Sequence, residues 1–383
     1  MSTWAKKKLS DCVTLKTGKL NSNAAVVDGL YPFFTCSQEI YKTNTWSFDT
    51  ECVLLGGNNA NAIYPIFYFD GKFDAYQRTY VIEPKNDNNI RYFYYLLKEK
   101  LKELREKSTG AATKFLTVKI LHDLNVIIPD SIRQQNIASI LSAYDDLIEN
   151  NEKRIKILEE MAERLYREWF VKFKFPGHEK VPLIDSDAEY GKIPEGWSII
   201  PMSTLADFIN GYPFKPKDLG EYGLPIIKIP ELRSGILDKT PRNSGKSIPK
   251  KYLVESGDVI FSWSATLLVN IWRSGNALLN QHLFKVTPKK IIFRSYLFYT
   301  LMALVKKLSK QVVGATMQHL RRDTIVDAKV ILPKEELIEE YEKIAANLLG
   351  RINCLCEKNQ KLSKMRDLLI SQLVTGKREM KKE

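Results

Sequence analysis

"YDDLIENNEKRIKILEEMAERLYREWF" occupies residues 144–170 and contains neither Gly nor Pro. Charged and apolar residues are almost evenly divided along it. From Ile137 to Trp169 the apolar positions return at alternating steps of four and three, through Ile148, Asn151, Ile155 and Leu158. That rhythm is the seam of a coiled coil. A helix lying on a globular core would show a shorter and wider stripe. A long helix is therefore expected, set between two stretches that read as short strands and turns.

The chain matches itself without gaps at an offset of 204 residues. "GKFDAYQRTYVIEPK" (71–85) lies over "GNALLNQHLFKVTPK" (275–289), and "GAATKFLTVKILHDLNVIIP" (110–129) over "GATMQHLRRDTIVDAKVILP" (314–333). Sixteen of the sixty positions in 71–130 are identical to their counterparts. One constant offset over that length indicates an internal duplication. The offset carries the first seam onto a second, Tyr341 to Leu373, through Ile352, Leu355, Asn359 and Leu362.

The expected fold is thus α+β: two duplicated mixed α/β domains and two long helices, related by a pseudo-two-fold axis. The boundaries read as a first domain at 1–131, a helical spacer at 132–174, a linker and second domain at 175–335, and a second spacer at 336–383. Each seam contains one Asn. If the helices pair antiparallel with facing numbers summing to 510, Asn151 meets Asn359, Ile148 meets Leu362 and Trp169 meets Tyr341. Two buried amides then bond each other. A parallel alignment at the repeat offset would set each of them against an apolar side chain.

The 383 residues are 44% hydrophobic, enough for two cores, and no apolar run approaches the roughly 18 residues of a membrane span. The N-terminal residues lack the apolar stretch of a signal peptide, so the expected location is cytoplasmic. Five scattered cysteines without a CxxC pair and four distant histidines argue against a disulfide framework or a metal centre. The net charge of +13 calls for a polyanionic partner, most simply nucleic acid. The excess lies mainly in residues 178–335, with 23 Lys and Arg against 15 Asp and Glu. Acidic pairs such as Asp145–Asp146 read as solvated.

No P-loop, G-x-S-x-G or H-E-x-x-H pattern occurs, nor the Asn-Pro-Pro-aromatic motif of adenine methyltransferases. No catalytic or metal-ligating residue is expected. Candidate DNA contacts are side chains that present donors and acceptors to base edges or phosphates. In the first half these are Asn58, Asn59 and Asn61 in "GGNNANA", with Arg78 and Lys114. In the second they are Lys215, Lys217, Arg233, Gln318, Arg321 and Arg322. Gln77–Arg78 and Gln281–His282 occupy matched repeat positions, where shared residues serve the common fold and differing ones serve specificity. Trp263 reads as a core aromatic, and His178 as part of the Pro-rich linker.

The stretch "RQQNIASILSAYDDLIENNEKRIKILEEMAERLYREWFVKFKFPGHE" (133–179), followed by "YGKIPEGWSIIPMSTLADFINGYPF" (190–214), closely resembles the specificity subunit of type I restriction-modification systems. "GLPIIKIPELRSG" (223–235) and "ESGDVIFSWSATL" (255–267) are similar to that family's strand-and-turn phrases, and "DTECVLLGGNNANAIYP" (49–65) to the latter. The counterpart of the early phrase in the first half, "KLNSNAAVVDGLYPFF" (19–34), is shorter. The resemblance spans essentially the whole chain. It implies two target-recognition domains, each reading half of a split site on double-stranded DNA, and an antiparallel coil that docks two modification subunits. Restriction subunits join that complex. S-adenosylmethionine, ATP and Mg2+ are expected in the partner subunits, in a bacterial or archaeal cytoplasm, with no chemistry in this chain. Two other readings stand beside it: a coiled-coil scaffold that does not bind DNA, and a self-contained restriction-methylation enzyme.

Overall fold

The computed structural model describes residues 4–59, 62–110, 113–187, 190–237, 239–263, 266–311 and 322–378. The chain forms two compact units, Met1–Glu149 with Lys361–Glu383, and Asn150–Gln360.

The first unit is built on a six-stranded sheet. Its strands run in the order Val13–Thr17, Thr79–Pro84, Phe48–Gly56, Ile66–Ala75, Tyr31–Phe34, Tyr41–Thr43. All neighbours are antiparallel except Tyr31–Phe34 beside Ile66–Ala75. Successive residues of a strand face opposite sides of the sheet, and "CVLL" (52–55) shows the consequence. Val53 and Leu55 join Tyr92, Phe93 and Leu97 of the helix Ile90–Lys107 on one side. Cys52 and Leu54 join Phe34 and Phe73 on the other. The helix starts where the Asn89 side chain accepts the Tyr92 N–H at 2.9 Å, a cap for an otherwise unsatisfied amide.

The second unit repeats this plan in two four-stranded sheets. One orders Ala206–Asn210, Leu283–Pro288, Val259–Ser262 and Leu268–Ile271, and the other Arg242–Asn243, Leu224–Ile227, Ala277–Leu279 and Leu253–Val254. The duplication is visible residue by residue. Ala5 pairs with Ile128, and Ser198 with Leu332. Val53 pairs with Ile82, and Val259 with Val286. Phe34 pairs with Ala75, and Ile227 with Leu279. The later partners keep the offset of the sequence repeat in every case. Where the first unit has one ten-residue strand, Ile66–Ala75, the second has two short ones, Leu268–Ile271 and Ala277–Leu279, which divides the sheet.

The long helices run Ser131–Tyr166 and Glu335–Leu373. No seam position from Ile137 to Trp169, or from Tyr341 to Leu373, is exposed. Within the second unit the segments run antiparallel: Asn151 Nδ2 donates to Asn359 Oδ1 at 2.7 Å, and the Trp169 and Tyr341 rings lie 6.0 Å apart. Ile155, Leu158 and Ile352 pack in the same core; Ile148, Leu355 and Leu362 are half-buried. Within the first unit the direction is the same, with Ile137 and Leu141 in one core with Leu373. There the seam residue Arg366 donates to Asp145 at 2.6 Å. Asp145 also accepts from the Tyr95 hydroxyl at 2.5 Å, and only 26% of its side chain is exposed. The expected solvated carboxylate is instead the centre of a half-buried network. Its neighbour Asp146 remains exposed and pairs with Arg91.

The first long helix ends in a π-helical turn, Arg167–Val171, in which Lys172 N–H reaches back five residues to Arg167 C=O at 2.9 Å. Trp169 and Phe170, adjacent within this turn, are both buried. The linker after it folds as a 3₁₀ turn, His178–Lys180, and a strand pair, Leu183–Asp185 with Lys192–Pro194. No helix among the described residues is long and apolar enough to cross a membrane.

Candidate nucleic-acid interface

In the first unit, residues far apart in sequence converge beside the sheet. Asn58–Asn59 forms a short strand antiparallel to Lys114–Phe115, so Asn59 lies opposite Lys114 and Asn58 opposite Phe115. Gly57 makes the junction: its N–H donates to Arg78 C=O at 2.8 Å, and a Cβ there would lie 2.6 Å from that oxygen. Glycine is required because the backbones approach so closely. The exposed Arg78 guanidinium lies over the Phe115 ring, 5.6 Å from its centroid. Four sequence candidates, Asn58, Asn59, Arg78 and Lys114, thus lie on or beside one short strand pair.

The support behind them is rigid. Buried Tyr80 donates its hydroxyl to Leu116 C=O at 2.7 Å, and burial pushes its pKa up, so it stays a donor. Arg105 Nε donates to Ala62 C=O at 3.0 Å and holds Ala62 at φ +53°, a conformation that costs energy for any residue with a Cβ. Asn58 Oδ1 is buried without a hydrogen-bond partner among the described residues. Neither Arg78 nor Lys114 has a carboxylate within 4.0 Å among the described residues. Unpaired cations and an orphaned amide oxygen match what phosphates and base edges supply.

In the second unit Lys215 and Lys217 are exposed on the turn around Pro216–Asp218, where Asp218 accepts the Lys215 N–H at 2.8 Å. Arg233 is exposed on a separate short helix, Ile229–Ser234. No hydrogen bond or ion pair joins it to that turn among the described residues. Asn61, Gln318 and Arg321 lie outside the described residues, as does the Arg322 side chain; Arg322 itself opens the helix Arg322–Val326.

Sequence reasoning missed three groups. Phe115 supports Arg78. Half-buried Tyr212 packs against Phe214 at 4.9 Å and Tyr252 at 5.4 Å, and Lys251 Nζ lies over the Tyr252 ring. Trp263 packs against the core, as expected, but stays half-buried, with its ring 5.9 Å from Phe284 and 6.3 Å from the exposed His282, an edge that the core reading left out. Aromatics interleaved with lysines were visible in "NGYPFKPK" (210–217), the one signal that composition offered.

A family model described as the type I restriction modification DNA specificity domain matches residues 1–160 and 194–361. The chain belongs to this family. Among its curated relatives, the EcoDI specificity subunit of Escherichia coli is 32% identical over 224 residues, covering 54% of this chain and 50% of that one. The MjaVIII specificity subunit of Methanocaldococcus jannaschii is 26% identical over 412 aligned positions, covering 98% and 92%. The crystal structure of a type I restriction-modification S subunit from M. genitalium shares the fold, with a TM-score of 0.62, 16% identity and coverage of 99% and 97%. As a type I specificity subunit the chain serves DNA sequence recognition, and its named relatives are specificity subunits rather than catalytic ones.

Proposed function

We propose that each recognition domain, residues 1–131 and 175–335, reads one half of a bipartite site on double-stranded DNA. The paired helices set the unread gap between the halves and dock two modification subunits, which restriction subunits join in the full complex. Adenine methylation and DNA cleavage belong in this reading to those partners, with S-adenosylmethionine, ATP and Mg2+. No step is assigned to a residue of this chain. The complex works in a bacterial or archaeal cytoplasm.

One observation carries the reading. The two domains repeat a common register pair by pair, yet present different side chains at its exposed turns. A repeated scaffold with unlike surfaces suits two unlike half-sites joined on one chain, where linkage raises the effective concentration of the second reader. Asn58, Asn59, Arg78 and Lys114 carry the first half-site. Gln318, Arg321 and Arg322 serve the reading of the second half-site, and Lys215, Lys217 and Arg233 contact phosphates near it; Asn61 extends the first set.

Mapping methylated adenines in a host genome tests this. The expected result is a split motif with an unspecified central gap. A continuous palindrome overturns it.

A further inference from the structure

One turn is built identically in both domains and carries a different basic residue in each. In the first, Gln77 N–H donates to Leu20 C=O at 3.0 Å, Leu20 N–H to Ala75 C=O, and Thr79 N–H to Tyr76 C=O at 2.7 Å. In the second, Gln281 N–H donates to Tyr212 C=O at 3.0 Å, Tyr212 N–H to Leu279 C=O, and Leu283 N–H to Asn280 C=O at 2.9 Å. The glutamine is common to both turns. The residue after it is Arg78 in one and His282 in the other, both exposed.

Each basic group is backed by a ring, but from a different source. The strand register sets Gly57 beyond the Gly56–Thr79 pair and Trp263 beyond the Ser262–Leu283 pair. Trp263 therefore supplies the ring beside His282 directly, at 6.3 Å between centroids. Gly57 has no side chain, and Phe115 from the neighbouring hairpin fills the place under Arg78. Two unrelated solutions place a planar nitrogen group at the same point of the scaffold; the His282 Nε2 also lies 3.5 Å from the Gln281 amide nitrogen. Neither donor has a carboxylate within 4.0 Å among the described residues. A planar donor fixed on a ring loses little freedom when it meets an acceptor.

We infer that Arg78 and His282 are equivalent base-reading positions, one for each half-site, and that Phe115 and Trp263 position them. The assignment rests on the bipartite reading proposed above. An arginine here suits the paired acceptors on the major-groove edge of guanine; an imidazole suits a single acceptor.

The test uses the specificity chain assembled with its modification subunits and a duplex library randomised across both half-sites, with methylation as readout. Arg78→Ala is expected to relax the preference at one base pair of one half-site by roughly ten- to hundredfold, leaving other positions unchanged. His282→Ala is expected to relax one base pair of the other half-site. Phe115→Leu, which keeps the guanidinium, gives a weaker relaxation at the same base pair as Arg78→Ala. Uniform weakening across all sequences, with a shallower dependence on salt, would mark phosphate contacts and overturn the assignment. Unchanged profiles in both alanine variants would overturn it equally. A wild-type complex with no split preference refutes the bipartite reading itself, which is a different failure.

Discussion

Asp145 and Arg366 stand where the repeat places Leu349 and Ala162. Both pairs join a recognition domain to the long helices within its own unit. In the first unit the joint is ionic: Arg366 bridges Asp145 and Asp367, and Tyr95 donates to Asp145. Burial, reinforced by that carboxylate, pushes the Tyr95 phenol well above its ordinary range. In the second unit the same place is apolar. Leu349 and Ala162 are buried, and the matched Tyr299 stacks on Tyr166 at 5.8 Å. Phe170 lies at the centre, 4.8 Å from Tyr296 and 4.9 Å from Tyr341. One scaffold thus closes the same joint by two kinds of force. The apolar one is strong and indifferent to salt; the ionic one contributes less net stability but penalises any mismatch.

Four measurements test this contrast. The largest effect is expected from Phe170→Ala, about 3–5 kcal/mol of destabilisation. Calorimetry should show the loss in the second unit's transition at low and high salt alike, and a strongly salt-dependent loss would contradict the apolar joint. Arg366→Ala leaves Asp145 without its cation and is expected to cost about 1–3 kcal/mol, less than a fully buried pair because both side chains keep some water. Grafting an apolar solution, Asp145→Leu with Arg366→Ala and with Tyr95→Phe to remove the hydroxyl that Asp145 accepts, should recover most of that. If this combined variant is less stable than Arg366→Ala alone, the ionic joint contributes more than the apolar one.

Asn151→Leu removes the donor to Asn359 Oδ1 and should cost about 1–2 kcal/mol. Changing both asparagines to leucine restores stability while loosening the register, which a double-mutant cycle with cysteine crosslinking across the seam would detect. The smallest effect concerns Glu342, which the Ser295 N–H and hydroxyl both contact at 3.0 Å. Burial raises its pKa, so the folded chain holds that proton more tightly than the unfolded one. Its stabilising contribution is complete below the unfolded carboxyl pKa and is lost as pH rises through the folded value. Relative to Glu342→Gln, the wild type should therefore gain stability as pH falls from neutral towards about 4.5. A difference independent of pH would remove the effect.

The duplication, the antiparallel seam and the Asn151–Asn359 bond were legible because they rest on period and offset, which the chain displays along its length. The Asp145 network was not. Seam arithmetic sets Arg366 opposite Tyr144, whereas its guanidinium reaches the next residue, Asp145, which Tyr95 also contacts. Candidate donors such as Asn58 and Lys114 were identifiable by chemistry alone. Their convergence depends on a two-residue strand pairing with no periodic trace. Phe115 escaped notice because a ring matters there only beneath Arg78, thirty-seven positions earlier.

The π turn at Arg167–Val171 works as a phase adjuster. The extra residue of an i→i+5 turn shifts the phase of everything that follows it relative to the α-helical ladder before it. Removing a single residue from this turn would re-wind the ladder. The domain that follows would then leave the helix on a different bearing, although every residue on either side of the deletion stayed the same.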